Sequence, residues 1–576
     1  GQMGKTALLG DKVYYRVHID ASRLTDTAYK VWRLGMTDDY DQEYLTLDAK
    51  HVEILDETGR DRTGEFNIQD KDGVLYTFAK TVDTQIPATG ETVPGDPQPG
   101  DLKAYSEKSD KDYDPLKDPS IDQSLLGHTY QVVMPMTVTK VKDGHTVENT
   151  ATQVTNDKRD KTNTVTNPLK EINPKKDVTV KVGGDSIDGK SVYLNHTFLY
   201  RLDSSILPPD RAYQTVTDWG GTDQLTTEYD QYLGNWAVYA SRDLYRGGQV
   251  LAARGEKIAG SGFDSSKFGG NLFTVDADGN GKVTVNATQA YLDLVSADNE
   301  HEAGWRLYLQ CKRIAVADEV PNTWTETING QPRESNKVVT KTPDMTPSIH
   351  LEKVDTPTLK QEGQERADRD DPKQALKMDA DSIGITFIIT NTSKTDPATG
   401  DGAWFKASDL DLADSTIVGD AHVDMDSLAY PDNWDTLVLK PGESVSVTGT
   451  LKGVREGDTH TDRAIVTGTP LVECAPSNGD PFNDKTDGGE DTDPEYSTGD
   501  VTEIDGKQLC ADTQVTSNTD DWTGYRAKPL ASTGTAVRGL AGGALAVLLA
   551  GGSLLVFRKR HRAQGSGRHT AVNAGK

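Results

Sequence analysis

Residues 177–182 read DVTVKV, with a valine at every second position. In an extended chain successive side chains point to opposite faces, so Val178, Val180 and Val182 share one face. The same two-residue period recurs in KVTVNA (282–287), SVSVTGTL (444–451) and RAIVTGT (463–469). Helical periodicity is rare, and ATQAYLDLV (287–295) is one short candidate. One apolar face per segment, repeated along the chain, predicts an all-β protein built of tandem Ig-like β-sandwich domains.

Part of the pattern occurs twice. GDKVYYRVHIDASRL (10–24) parallels NHTFLYRLDSSIL (195–207), and MTDDYDQEY (36–44) parallels GTDQLTTEYDQY (221–232). KTNTVTNP (161–168) parallels ESNKVVTKTP (334–343). Three landmarks in one order imply two related domains, 1–168 and 169–345, meeting near NPLKEINP (167–174). After TPDMTPSIHLEKVD (342–355) the sequence differs, so a third Ig-like domain is expected over 346–528. Its segment from Asn478 to Ser497 is rich in Gly, Asp and Pro and reads as a long exposed loop.

A length of 576 residues suits three or four domains. Asp and Glu outnumber Lys and Arg 90 to 62, leaving a net charge of -28. Such a surface repels phosphates and argues against a nucleic-acid partner. The chain opens at Gly1 without a charged-then-apolar leader. An export signal is therefore expected upstream, in a longer precursor.

The C-terminal end is of another kind. LASTG (530–534) precedes Leu540–Phe557, 18 residues without a charge, and then Arg558, Lys559, Arg560 and Arg562. That length can cross a bilayer as one transmembrane helix, and the basic cluster places its end in the cytoplasm. Motif, apolar helix and basic tail together resemble the sortase signals of Gram-positive surface proteins. Ala531 stands where the commoner motif has proline, as in actinobacterial LAxTG variants. The resemblance implies cleavage between Thr533 and Gly534, with sortase and peptidoglycan as partners. The membrane is touched only through 540–557, before sorting. The sorting signal is assigned to 529–562 and a basic cytoplasmic tail to 563–576. A plain single-span anchor is the alternative. IPATG (86–90) lacks a following apolar helix and reads as a loop.

The second domain carries a further resemblance. NPKKDVTV, IDGK, LPPDR, YDQY, LQCKRIAV and ESNKVVTKTP, in that order, resemble the C-terminal repeat domains of the antigen I/II cell-wall adhesins. Residues 1–168 are similar to the preceding repeat. The resemblance implies a Lys–Asn isopeptide tie from Lys176 to Asn336, with Asp223 as assisting acid. Asp203 and Asp230 are fallback acids. In the first domain it implies Asn163 and Asp38. The matching lysine would fall before Gly1, so the chain is expected to lack that domain's first strand. The chemistry is sound in physical terms: a buried lysine loses its proton and becomes a nucleophile, while a buried aspartic acid keeps its proton and polarises the amide carbonyl.

The third domain resembles Ig-like modules that precede sorting signals in bifidobacterial surface proteins. It offers Lys353 and Asp462 for a crosslink, with no assisting acid evident. Cys474 and Cys510 are candidates for a disulfide, and Cys311 in WRLYLQCKRIAV reads as a buried thiol. Asp38, Asp39 and Asp41 of DDYD are candidate calcium ligands, and no other cofactor is expected. VDADGNGKVTVNA (275–287) begins like an EF-hand loop but has Ala287 at position twelve, so it reads as a hairpin turn. No HExxH, GxSxG, P-loop or Rossmann pattern occurs, and no enzyme is expected.

The sequence thus reads as the stalk of a sortase-anchored surface adhesin. It would lie covalently anchored in the cell wall and face outward, with host or bacterial surface glycoproteins as candidate partners. The rivals are a pilin subunit and the anchor region of a surface enzyme. YPDN (430–433) puts Asp432 where a pilin would carry its polymerising lysine.

Overall fold

The computed structural model describes residues 1–95, 100–356, 369–482, 487 and 500–529. Three hydrophobic cores follow one another along the chain, each enclosed by antiparallel strands.

Alternation builds the first. Lys12–Asp20 and Thr129–Val138 each bury every second residue and pair antiparallel, Val17 opposite Val132. A second sheet joins Lys158–Lys161, Ala151–Thr155, Leu34–Asp39, Val74–Ala79 and Phe66–Lys71 in that spatial order. The second domain repeats the plan. One sheet runs Lys175–Thr179, Thr197–Asp203, Trp305–Arg313, Asp230–Ala240, Lys257–Gly260, and the other contains Lys282–Ala287, Trp219–Gln224 and Trp324–Ile328 side by side. The two copies differ at one edge. Thr197–Asp203 has Lys175–Thr179 as an outer neighbour, whereas Lys12–Asp20 pairs only with Thr129–Val138 among the described residues.

One sequence reading changes here, and the short helix holds. The DVTVKV strand stops at Thr179: Val178 and Val182 are buried, but Val180 is exposed past the strand end. Helices are short. Gln289–Ala297 buries Tyr291, Leu292 and Val295, and Leu102–Glu107 is capped by the Asp101 carboxylate.

In the third domain Ile349–Asp355, Ser382–Asn391, Ser444–Lys452 and His422–Val423 form one sheet. Leu376–Lys377, Asp520–Tyr525, Thr459–Gly468 and Asp411–Val418 form the other. The segment read as an exposed loop is anchored in part. Phe482 is fully buried against Val182, Leu199, Tyr239 and Tyr308 of the second domain. An aromatic ring leaves water wherever an apolar pocket admits it, whatever the polarity of its neighbours in sequence. Leu8 likewise enters the second domain's core, and Ala212 that of the first.

Among the described residues no helix is long and apolar enough to cross a membrane. The tag with Thr533 and Gly534, the apolar run 540–557 and the tail 563–576 lie outside the described residues.

A disulfide joins Cys474 to Cys510, 36 residues apart, where Leu471–Glu473 pairs with Lys507–Ala511. Closing a loop of this length stabilises by about 4 kcal/mol in the chain-entropy account. The double variant Cys474→Ala, Cys510→Ala should therefore lower the third domain's calorimetric transition by several degrees. An unmoved transition would mean that the bond does not constrain unfolding.

Candidate functional site

The repeated GMTD (35–38) and GGTD (220–223) place an aspartate inside each of the first two sandwiches. The glycine is needed for close approach. A Cβ on Gly35 would sit 2.1 Å from the Thr77 carbonyl oxygen, and one on Gly220 2.3 Å from that of Val285. With the strand pressed this close, alternation sends Asp38 and Asp223 inward. Both are essentially inaccessible to solvent.

In the second domain Lys176 meets that acid. The strand Lys175–Thr179 buries alternate residues, so the Lys176 side chain enters the sandwich. Its Nζ donates to Asp223 Oδ2, and neither side chain has any solvent exposure. The amine also lies 4.5 Å from the centre of the Tyr200 ring. Burial pulls the lysine below its ordinary pKa and pushes the aspartate above its own. Both shifts favour the uncharged pair, an amine beside a carboxylic acid, because two charges in this dry site would lose their hydration.

The structure does not bring Asn336 to the amine. Asn336 is exposed, its Oδ1 accepts from the Lys176 backbone N–H at 2.9 Å, and its Nδ2 donates to the Lys176 carbonyl at 2.9 Å. It clamps the strand's main-chain edge, while the lysine side chain points the other way into the core. The side-chain amide that bears on the acid is that of Asn322, which is buried and acts against the rise in the Asp223 pKa that burial causes. Asp223 Oδ1 and Asn322 Oδ1 have no hydrogen-bond partner. The fallback acids are engaged elsewhere. Asp230 accepts from Arg313 Nε at 2.8 Å and from the Tyr200 hydroxyl at 2.7 Å, and Asp203 pairs with Arg201 and Arg306. Cys311 is a free, buried thiol whose pKa burial raises well above the ordinary value.

The first domain repeats the acid and the amide. Asn149 Nδ2 donates to Asp38 Oδ2 at 3.0 Å, and burial pushes Asp38 up to about 6. Asp38 Oδ1 and Asn149 Oδ1 are buried without partners. The registers agree: Ala151 lies opposite Asp38 and Trp324 opposite Asp223, each two residues past its asparagine. No lysine pairs with Asp38 among the described residues, and Asn163, the counterpart of Asn336, is exposed.

DDYD does not form a metal centre. Asp38 faces inward and Asp39 outward on one strand, and Asp41 turns to His145 Nε2 at 3.2 Å. No group of three or more His, Cys, Asp or Glu among the described residues is placed to hold a metal. The EF-hand-like stretch is the hairpin between Phe273–Ala277 and Lys282–Ala287. In the third domain Lys353 is fully buried, and its Nζ lies 2.6 Å from Asp462 Oδ1.

Two family models match the chain in tandem. A family model described as "Cell surface antigen I/II C2 terminal domain" matches residues 3–169, and one described as "Cell surface antigen C-terminus" matches residues 173–343. The aggregation substance of Enterococcus faecalis is 31% identical over 324 residues, which is 55% of this chain and 21% of that protein. The chain thus spans about a fifth of that relative's length. The C-terminal domain of the Streptococcus agalactiae antigen I/II polypeptide BspA is 18% identical. The match covers 59% of this chain and 96% of that one, with a TM-score of 0.43. That of Streptococcus pyogenes AspA is 21% identical, with coverage of 59% and 95% and a TM-score of 0.43. The two family models together account for residues 3–343, more than half of the 576, and the chain belongs to the antigen I/II family of cell surface antigens.

Proposed function

We propose that this chain is the stalk of a wall-anchored surface adhesin, and that its second domain is tied internally by an isopeptide bond from Lys176 to Asn322. The observation that supports it is the dry cluster of amine, acid and amide around Asp223. Such a cluster has a defined chemistry. The neutral Nζ attacks Cγ of Asn322. Protonated Asp223 donates to the developing oxyanion and relays the amine's proton to the departing nitrogen. The Cγ–Nδ2 bond breaks, ammonia leaves, an amide remains, and Asp223 ends as it began. The reaction occurs once per molecule, so it is maturation rather than turnover.

The tie suits a stalk. Lys176 lies on the domain's first strand and Asn322 on Ala317–Asn322, near its end. Tension on the domain's ends would pass through the covalent bond and bypass most of the sheet. The seams are made alike for load, with Phe482 buried across one and Leu8 across the other. Cell-wall anchoring rests on LASTG, followed by a membrane-length segment and then arginines. Stalk domains of this family could also bind host or bacterial surface glycoproteins directly.

Peptide mapping of the whole chain tests the bond. A branched peptide joining the Lys176 and Asn322 segments should appear, lighter than the sum of its parts by about 17 Da, one ammonia. Asn322→Ala and Asp223→Ala should abolish it, and Asn336→Ala should leave it in place. A branch at Asn336 would overturn the assignment of the amide. Closing a loop of roughly 150 residues stabilises by on the order of 5 kcal/mol. Asn322→Ala should therefore lower the second domain's melting temperature markedly, and an equal midpoint would exclude a structural role.

Anchoring is tested separately. Thr533→Ala should move the protein from the peptidoglycan fraction to the membrane and medium of the cells. Unchanged covalent attachment to the wall would refute a sortase route through LASTG.

A further inference from the structure

The third domain lies outside both matched family models and holds a buried lysine of its own. Lys353 sits on the domain's first strand, Ile349–Asp355, and points between the sheets. Its Nζ donates to Asp414 Oδ2, on Asp411–Val418, and stands 2.6 Å from Asp462 Oδ1, on Thr459–Gly468. The side chains of Lys353 and Asp462 have no solvent exposure, and that of Asp414 is 3% exposed. The two acid-bearing strands pair antiparallel, Asp414 opposite Ala464 and Thr416 opposite Asp462, so the carboxyls are diagonal neighbours on one face. Two carboxylates and one ammonium buried together carry an excess negative charge in a dry site.

We propose that Lys353 and Asp462 become joined by an isopeptide bond, formed with loss of water and assisted by Asp414. Hydrogen-bond geometry separates the two acids. Asp414 accepts a hydrogen bond from the amine. Asp462 Oδ1 stands 2.6 Å away, yet neither Asp462 oxygen meets a donor in hydrogen-bond geometry, so its carboxyl faces Nζ off the line of a donated proton. Asp414 is therefore the proton carrier and Asp462 the group open to attack. Burial, with Asp462 nearby, pushes Asp414 up to about 6, as a proton-holding acid requires. A third carboxylate, Asp520, is excluded by its role: its Oδ2 accepts from the Lys353 backbone N–H, much as Asn336 does for Lys176. His460, fully buried, stands 3.4 Å from Asp462 Oδ2, the oxygen away from the lysine.

The step balances without a co-reactant. The reactive state is reached when the Lys353 ammonium gives one proton, through Asp414, to the Asp462 carboxylate, leaving an amine beside two carboxylic acids. Nζ forms a bond to Cγ of Asp462. The proton that Nζ sheds passes through Asp414 to the Asp462 hydroxyl. The Cγ–O bond breaks and one water leaves. Asp414 keeps one proton throughout, and an amide links the first strand to a central strand of the facing sheet.

The bond is independent of the one proposed for the second domain, and one digest of the whole, disulfide-reduced chain reads both. The expected product is a branched peptide joining the Lys353 and Asp462 segments, lighter than the sum of its parts by about 18 Da, one water. Proteolysis after Lys353 should be blocked. Linear peptides of full mass, with normal cleavage at Lys353, would overturn the proposal, whatever the second domain shows. A branch on Asp414 would overturn the assignment of roles. Asp414→Ala should abolish the branch while the Cys474–Cys510 disulfide still forms and reports a folded domain. A branch that persists in Asp414→Ala would show that Asp414 is not the assisting acid.

Discussion

Each complete centre depends on one constraint, an amine held where water cannot reach it. An ammonium in a sandwich interior loses its hydration and must find a compensating charge or give up its proton. The second and third domains place a carboxyl against the amine, which allows both outcomes. The same burial raises the acid in both domains, and in the second it lowers the amine as well. Stability and chemistry therefore have one cause. The domain's main core, which includes Leu202 opposite Lys176 and the Tyr200 ring beside its amine, is also the burial that pulls that amine below its ordinary pKa.

Strand alternation then decides which residues can take part. On a first strand every second residue faces inward, and Lys176 and Lys353 occupy such positions. The strand's free main-chain edge faces the other way and needs partners of its own. Asn336 supplies them in the second domain, while Asn518 in the third makes the same paired contact with Leu351. A side-chain amide in the last part of a domain can thus serve the edge or the core, but not both.

That distinction marks the limit of what the sequence discloses. The all-β class and the two-fold repeat were legible from local period and from landmarks in one order, while Asp38 and Asp223 came with the family resemblance; the glycine that lets their strands approach closely shows only in the structure. Lys176 was legible by its place in the family order. The amide that lies beside the acid was not, because Asn336 and Asn322 both come late in the domain and only strand direction separates them. A signal was present in the repeat itself. VENTAT (147–152) and VPNTWT (320–325) share a V-x-N-T pattern that carries Asn149 and Asn322 to the same place beside the acid. Asp414 gave less warning, since DLADSTIV has no counterpart in the other domains and meets Lys353 only through long-range packing. Phe482 was misread for a related reason: its Gly- and Asp-rich surroundings describe a loop, and burial of one ring depends on a pocket in another domain.

The first domain shows what the centre is without its amine. Asp38 and Asn149 hold the same relation as Asp223 and Asn322, yet no lysine pairs with Asp38 among the described residues. Two buried oxygens, one on each side chain, are left without a donor. An unsatisfied buried acceptor costs stability, which a sandwich keeps only when its surroundings fix the group in place. The acid and the amide are therefore set by the two strands that carry them, Leu34–Asp39 and Thr146–Asn149, and do not wait for the lysine to position them. The amine is the one component that these two strands do not carry. In the second domain the lysine comes instead from a separate strand, Lys175–Thr179, which lies at the edge of the facing sheet and sends Lys176 inward to the acid.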